Sequence, residues 1–281
     1  MQVVRHTDPD AFLEAALPMA ARGEASASFF AGAAHTLKRT PPRASERVYL
    51  ASCSGDDGIG VAIQRDSGPV LIGASDVAAA RAFAEDLAGD WPELQGVMGA
   101  PAGCEAFAER WRDLTGRAHR LRVRLRQHKL TAVNAVPGAP GAPRLAEAGD
   151  VDWLIEMQVA FIAEVRLTDS PQRVREFMPV RVARGDFWIW DDGARVAYVG
   201  YNDAAPDFAR IAPVYTIPGA RGRGYATALV AELSRELLTR GKRKLFLTTD
   251  IANPTSNAIY ARIGFRPEND DCGLDFVAPV A

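Results

Sequence analysis

Hydrophobic and polar positions alternate along the first half of the chain in runs that predict both helices and strands. Apolar residues recur at helical spacing in three segments, and Asp76 and Gly116 stand where helices would begin and end. Three short apolar runs separated by turn residues predict a strand meander, and a fourth run alternates apolar with basic residues. The predicted elements are a helix at Asp8–Met19, strands at Val48–Cys53, Ile59–Gln64 and Val70–Ile72 with turns at Gly55–Gly58 and Asp66–Gly68, helices at Asp76–Leu87 and Cys104–Thr115, and a strand at Leu121–Leu130.

The second half carries a longer series of elements. Ser170-Pro171 predicts a helix start, Asp191-Asp192-Gly193 predicts a hairpin turn, and Gly241 predicts a helix end. The order of elements predicts a mixed α/β fold with a central sheet. The predicted elements are a strand at Arg144–Ala146, helices at Asp150–Val165 and Ser170–Arg184, strands at Phe187–Trp190, Ala194–Tyr201 and Phe208–Ile217, a helix at Tyr225–Arg240, a strand at Lys244–Thr249, a helix at Asn257–Ile263 that Gly264 closes, and the last strands within Phe265–Val277.

A segment rich in proline and glycine, Val133–Pro143, separates the two halves. It carries no charged residue and is a poor candidate for a helix or a central strand. A chain of 281 residues is long for one domain and suits two of ordinary size. The sequence therefore predicts a first domain at residues 1–132, a linker at 133–143 and a second domain at 144–281.

Composition and charge narrow the classes of protein. With 48% hydrophobic and 24% charged residues the chain should fold around a core, and a net charge of -2 gives no reason to expect nucleic acid or an anionic membrane as partner. The N-terminus lacks the pattern of a signal peptide, and no apolar run approaches a membrane span. Three well-separated cysteines fit a reducing compartment and give no metal-ligand spacing. We expect a soluble cytoplasmic protein without a metal.

The segment Arg117–Lys129 is locally basic. One interpretation is a surface for an anion or a nucleic acid, which predicts strongly salt-dependent binding to any duplex. The other is the solvent face of a strand. We favour the second, because the charge of the rest of the chain cancels this segment.

The loop between the strand at Phe208–Ile217 and the helix at Tyr225–Arg240 carries the candidate chemistry. Gly222 and Gly224 lack side chains, so backbone N–H groups can come close to a bulky anion. The start of the following helix adds unpaired donors and a positive dipole end, and Arg221 and Arg223 add charge. Together these residues suit a pyrophosphate, although the glycines alone would equally fit an ordinary turn. The sequence contains neither a phosphate-binding G-x-x-x-x-G-K-[ST] loop nor a G-x-G-x-x-G dinucleotide motif.

Two linked motifs in the second half resemble a known family. Arg221-x-x-Gly224-x-Ala226 is similar to the [Q/R]-x-x-G-x-[G/A] signature of the GNAT superfamily of N-acetyltransferases. Farther along, Asn253, Ser256, Tyr260 and Gly264-Phe265 have the N-x-x-[SA]-x-x-x-Y-x-x-x-G-[FY] spacing typical of the family's closing segment. The resemblance covers residues 144–281 and includes the order of strands and helices.

The resemblance implies acetyl-CoA as co-substrate, no metal, and an amine on a small molecule or a peptide as acceptor. In such enzymes the strand before the loop splays from its neighbour and pairs with pantetheine, and the loop amides hold the pyrophosphate. Carried over to this sequence, the cofactor-binding residues are Val214, Tyr215, Thr216, Arg221, Gly222, Arg223, Gly224, Tyr225, Ala226, Thr227, Asn253 and Ser256.

The resemblance also implies catalytic groups. Tyr260 matches the tyrosine that commonly protonates the departing thiolate, although its helical spacing from Ile263 also fits a core aromatic. The amine must lose a proton before it attacks the thioester. For this general base we prefer Glu164. Glu176, Asp250, Tyr198 and a water chain stay open as alternatives.

The first half is compatible with a degenerate copy of the same fold. It lacks a clear R-x-x-G-x-[G/A] loop, and Gly96–Gly99 is its nearest glycine-rich turn. The whole chain thus resembles a tandem GNAT protein, that is, two GNAT-like acyl-CoA N-acyltransferase domains in one chain. We expect a monomer or homodimer. The competing function is a non-catalytic acyl-CoA sensor or interaction protein on the same fold.

Overall fold

The computed structural model describes residues 1–16, 24–39, 41–42, 46–55, 58–65, 68–74, 76–165, 167 and 170–278. These residues form eight α-helices and twelve β-strands, so the expected mixed α/β class is confirmed. The end of the predicted first helix and the central residues of the two predicted turns, Asp56-Asp57 and Asp66-Ser67, lie outside the described residues. None of the helices described is long and apolar enough to cross a membrane.

The chain divides into two compact units. Unit 1 comprises Met1–His128, Thr248–Pro254 and Pro267–Ala281, and unit 2 comprises Lys129–Leu247 and Thr255–Arg266. Compact units and evolutionary domains are different divisions of a chain, so the domain limits of 1–132 and 144–281 stay a prediction.

Unit 1 is a sheet with helices packed on it. Its strands follow the order β1-β2-β3-β4-β5-β12-β6. Its elements are β1 (Gln2–Arg5), α1 (Pro9–Ala16), α2 (Glu24–Arg39), β2 (Val48–Gly55), β3 (Gly58–Arg65), β4 (Val70–Ala74), α3 (Val77–Ala88), β5 (Gly96–Gly99), α4 (Pro101–Thr115), most of β6 (Ala118–Leu130) and most of β12 (Arg266–Val277).

The core of unit 1 forms where α3 and α4 cover the sheet. Phe107, Trp111 and Phe276 stack with centroid distances of 5.4 to 6.1 Å, and all three are buried. The predicted ends of these helices are confirmed: the Asp76 carboxylate caps α3, and Gly116 ends α4 at a φ of 73°.

Three features of unit 1 differ from the sequence prediction. Strand β1 at Gln2–Arg5 was not predicted. Helix α2 was not predicted, because alanine, serine and glycine dominate it and blur the apolar period. Gly96–Gly99 was predicted as a turn, which is wrong, because it is strand β5 between β4 and β12. Its glycines allow the neighbouring strands to come close, because a Cβ on Gly96 would lie 2.1 Å from the Leu274 carbonyl oxygen.

Unit 2 contains the strands in the order β11-β10-β9-β8-β7. Its elements are β7 (Ala142–Leu145), α5 (Val151–Val165), α6 (Pro171–Ala183), β8 (Phe187–Asp191), β9 (Arg195–Ala205), β10 (Phe208–Thr216), α7 (Tyr225–Thr239), the first part of β11 (Lys244–Asp250) and most of α8 (Pro254–Ile263). The predicted helix at Asn257–Ile263 thus begins three residues too late, because Pro254 is suited to the first helical position.

Two hydrophobic clusters lie on the opposite faces of the unit 2 sheet. Val199 of β9 packs with Leu229 of α7 in one cluster, while its neighbour Tyr198 packs with Leu154 of α5 in the other. Successive strand residues point to opposite faces, so α7 covers one face and α5 with α6 the other. The predicted linker is part of unit 2, where the Trp190 indole N–H donates to the Pro140 carbonyl at 2.6 Å.

Candidate functional site

The end of β10 has one edge without a strand partner. On the β9 side the pairing continues to Thr216, which lies opposite Ala197. On the β11 side the parallel pairing covers only Phe208–Arg210. Within the described residues of unit 2, no strand pairs with Val214–Thr216 on this side, and the edge suits an added extended chain once Arg221 leaves the Thr216 carbonyl. A register shift between Ile211 and Val214 marks the irregularity that precedes this edge.

The loop Arg221–Gly224 follows this edge and leads into α7. Gly222 and Gly224 have φ values of 79° and 85°, in the left-handed region that favours glycine. A Cβ at either position would meet no atom within 4 Å. Backbone conformation rather than crowding therefore requires these glycines, and the space beside the exposed loop is open to a ligand.

The start of α7 presents the backbone N–H groups of its first turn. Its first helical hydrogen bond runs from the Ala228 N–H to the Gly224 carbonyl at 3.0 Å. The N–H groups of Tyr225, Ala226 and Thr227 precede that ladder, and Gly224 supplies no side-chain cap. These amides and the positive end of the helix dipole suit a phosphate group.

The side chains at the start of α7 fix the helix rather than face the loop. Tyr225 is 2% exposed, and its hydroxyl donates to the Asp192 carboxylate in the β8–β9 hairpin. Thr227 is also buried. Each of these two residues therefore offers a ligand its backbone amide rather than its side chain. Nothing in the sequence pointed to Asp192 as the anchor, since it reads only as a turn residue.

The Arg221 side chain connects the loop with α5 and β10. Its Nη2 donates to Glu164 Oε2 at 2.7 Å, and its Nε donates to the Thr216 carbonyl at 3.1 Å. Its guanidinium also lies 5.5 Å from the centre of the Tyr215 ring. The hydrogen bond with Glu164 raises the pKa of Arg221 above its ordinary value. Arg221 is thus held among residues that the sequence assigned to the same site.

Asn253 and Ser256 lie around the start of α8. Asn253 directly precedes the helix, and its backbone N–H donates to the Asp250 carbonyl at 3.0 Å. Ser256 lies in the first turn of α8 and is partly exposed. Asn253 belongs to unit 1 and Ser256 to unit 2, and their roles toward a ligand stay predictions.

Tyr260 lies on α8 within the cluster that α7 covers. Its ring contacts Phe265 edge-on at 5.9 Å, and the residue is 9% exposed. Burial raises the pKa of the Tyr260 hydroxyl above its ordinary value, so the group stays protonated through the neutral range. The residue thus has the position of a core aromatic and keeps the protonated hydroxyl that a general acid needs.

The alternative bases differ in their surroundings. Tyr198 is fully buried, its hydroxyl donates to Gln158 at 2.9 Å, and burial raises its pKa. A phenol with a raised pKa is a weak base near neutrality. Glu176 is exposed on α6 and Asp250 is exposed at the end of β11.

Basic residues of strand β6 pair with acidic residues within unit 1. Arg126 donates to both oxygens of Asp270 at 2.6 and 2.8 Å, and Arg122 pairs with Asp275 at 3.0 Å. These acidic residues belong to β12, the neighbour of β6 in the sheet. The charge pattern therefore supports a paired strand face over a nucleic-acid surface.

Comparison with protein families identifies the second half of the chain. Residues 153–265 match the model described as "Acetyltransferase (GNAT) family". The matched range contains the loop, the start of α7 and Tyr260. Residues 153–265 therefore form a domain of the GNAT type, as the two motifs indicated. No curated protein matches the sequence.

Solved structures extend the likeness to the whole chain. A Drosophila protein shares 15% identity over 99% of both chains with a TM-score of 0.65. A GCN5-related N-acetyltransferase from Sphaerobacter thermophilus shares 17% identity over 98% of this chain and 95% of its own, with a TM-score of 0.63. A tandem GNAT protein from the clavulanic acid biosynthesis pathway shares 17% identity over 100% of this chain and 99% of its own, with a TM-score of 0.57. The chain as a whole has the tandem GNAT fold.

Proposed function

We propose that the protein transfers the acetyl group of acetyl-CoA to a primary amine, by direct attack of the amine on the thioester in a ternary complex. The observation that carries this proposal is one arrangement in unit 2. An open strand edge at Val214–Thr216 runs into a loop with two left-handed glycines and an uncapped helix start. A ligand with an extended thioester arm joined to a diphosphate needs a strand edge for the arm. Next to that edge it needs backbone donors for the diphosphate.

The roles of the cofactor-binding residues follow from what each group offers. Val214, Tyr215 and Thr216 offer backbone groups on the open edge to pantetheine. The amides from Arg221 to Thr227 face the diphosphate, and Arg221 and Arg223 add charge. Asn253 and Ser256 flank the pantetheine arm in this proposal.

The reaction also requires a donor for the oxyanion, a general acid and a general base. A backbone N–H on the open edge of β10 serves the oxyanion of the tetrahedral intermediate. The Tyr260 hydroxyl, which forms no hydrogen bond with another described residue and has a raised pKa, protonates the departing thiolate. Glu164 is our preferred base, and its ion pair with Arg221 must then open before it can accept a proton from the amine.

The experiment is a coenzyme A release assay with acetyl-CoA and a panel of primary amines, run on the wild type and Tyr260→Phe. We expect turnover with at least one amine and a large loss of kcat in the variant. If coenzyme A binds but no amine in the panel is acetylated, the non-catalytic sensor becomes the better function. If coenzyme A does not bind, both functions are wrong.

A further inference from the structure

The guanidinium of Arg221 is already engaged by two groups of unit 2 before any ligand is considered. One is the Glu164 carboxylate at 2.7 Å, and the other is the Thr216 carbonyl at 3.1 Å. Thr216 is the last residue of the open edge of β10, and Arg221 is the first residue of the glycine loop. One side chain therefore covers part of the edge and part of the loop at the same time.

We infer that the Arg221–Glu164 ion pair is a latch that an acyl-CoA must open, because its diphosphate competes with Glu164 for the same guanidinium. The inference rests on the proposed function and adds to it a positioning role for both residues. Opening the latch removes the Nε donor from the Thr216 carbonyl and leaves Glu164 without its cation. Loading of the cofactor thereby exposes the end of the strand edge and frees a carboxylate for a cationic amine.

The exposure of the pair makes this exchange easy. The Arg221 and Glu164 side chains are 45% and 49% exposed, and ion pairs of this kind contribute little because water screens them. A diphosphate offers more charge and more acceptor oxygens, and it is also held by the amides at the start of α7. The cofactor therefore wins the competition, while Glu164 weakens its binding only modestly.

The latch predicts an order of binding. A cationic amine that approaches before the cofactor meets a carboxylate already paired with a cation. After acyl-CoA binds, the same carboxylate is uncompensated and attracts the amine. The acceptor should therefore bind detectably only to the cofactor complex.

The test measures coenzyme A binding by titration calorimetry at low and high salt on full-length variants. Glu164→Gln removes the competitor and should bind coenzyme A about two- to fivefold more tightly than the wild type at low salt. High salt screens the exposed pair, so the gain should shrink there. The gain should also vanish when the same change is made in an Arg221→Ala background.

Glu232→Gln is the matched control. Glu232 pairs with Arg235 on α7 at 2.6 Å, with side-chain exposures of 45% and 39%. The control removes the same charge from an equally exposed pair in unit 2 and leaves Arg221 untouched. It should bind coenzyme A like the wild type, and a gain equal to that of Glu164→Gln would overturn the latch in favour of a general charge effect.

The outcomes separate the two proposals. If all variants bind coenzyme A equally, the latch is wrong and the proposed function stands. If Glu164→Gln binds more tightly but no amine is acetylated by any variant, the latch stands and the proposed transferase is wrong. If neither the wild type nor Glu164→Gln binds coenzyme A, both are wrong.

Discussion

The carboxylate of Asp76 accepts a hydrogen bond from the Ala79 N–H at 2.6 Å and so closes the start of α3. Helix α3 connects the parallel strands β4 and β5 along the chain, just as α7 connects the parallel strands β10 and β11. The two helices thus occupy equivalent positions in their units, but one begins with a carboxylate and the other with a glycine that caps nothing.

We therefore expect one coenzyme A per chain. A carboxylate at a helix start occupies a donor and repels a phosphate, whereas the start of α7 is open to one. Titration calorimetry should give a stoichiometry of one, and Asp76→Ala should leave the affinity unchanged. Two sites per chain would contradict the difference between the two helix starts.

Replacement of the loop glycine Gly224 by alanine should weaken coenzyme A binding. An L residue in the left-handed region costs about 1–2 kcal/mol, so the loop would shift and misplace the amides at the start of α7. Gly219→Ala is the control, because Gly219 also has nothing within 4 Å of a Cβ but no positive φ. Thermal unfolding of both variants distinguishes a loss of stability from a loss of coenzyme A affinity. Equal binding by the two variants would show that loop conformation is not what positions the ligand.

Replacement of Tyr260 by phenylalanine should lower kcat by about 10²–10⁴-fold, the usual contribution of a general acid, while coenzyme A binding stays unchanged. The hydroxyl makes no hydrogen bond with another described residue, so its loss should cost little stability. Since burial raises the pKa of Tyr260, the wild type should keep its acid function until the pH passes the ordinary tyrosine value of about 10. A wild-type kcat that falls near pH 8 through loss of an acid would point to another group.

Stability at low pH should depend on Asp150. This carboxylate is 4% exposed and binds Arg144 at 2.7 and 2.9 Å and Arg195 at 3.2 Å. The Arg144 guanidinium lowers the pKa of Asp150 from 3.8 to about 2. A lowered pKa gives stability that is present above pH 3.8 and is lost as the pH falls through about 2.

Asp150→Asn should therefore lower the free energy of unfolding by about 2 kcal/mol at pH 7. The difference in the free energy of unfolding between the variant and the wild type should narrow below pH 4. At that pH the wild type begins to lose the contribution of the ionised Asp150. Chemical denaturation at pH 7, 4 and 3 measures this, with Asp152→Asn as an exposed control two residues away in the first turn of α5. A difference that does not vary with pH would mean that lost packing rather than charge carries the effect.

The sequence predicted most elements because local signals were strong. Asp76 and Ser170 are both found as helix caps, and the two GNAT motifs fall in the matched family range. Helix α2 was missed because small residues hide its apolar face. The pairing of Arg221 with Glu164 joins residues 57 positions apart, and no local pattern encodes such a contact. Gly96–Gly99 was misjudged because glycine marks both turns and closely packed strands.

Strand β12 has a consequence for how the protein is made. It lies between β5 and β6 in the sheet of unit 1, although the rest of that unit is almost entirely within the first 128 residues. On the ribosome, residues 1–128 emerge with a gap between β5 and β6, and the edges of both strands that face this gap are unpaired. The unit that is synthesised first is thus completed last, and a premature stop before Pro267 would leave those edges open to aggregation.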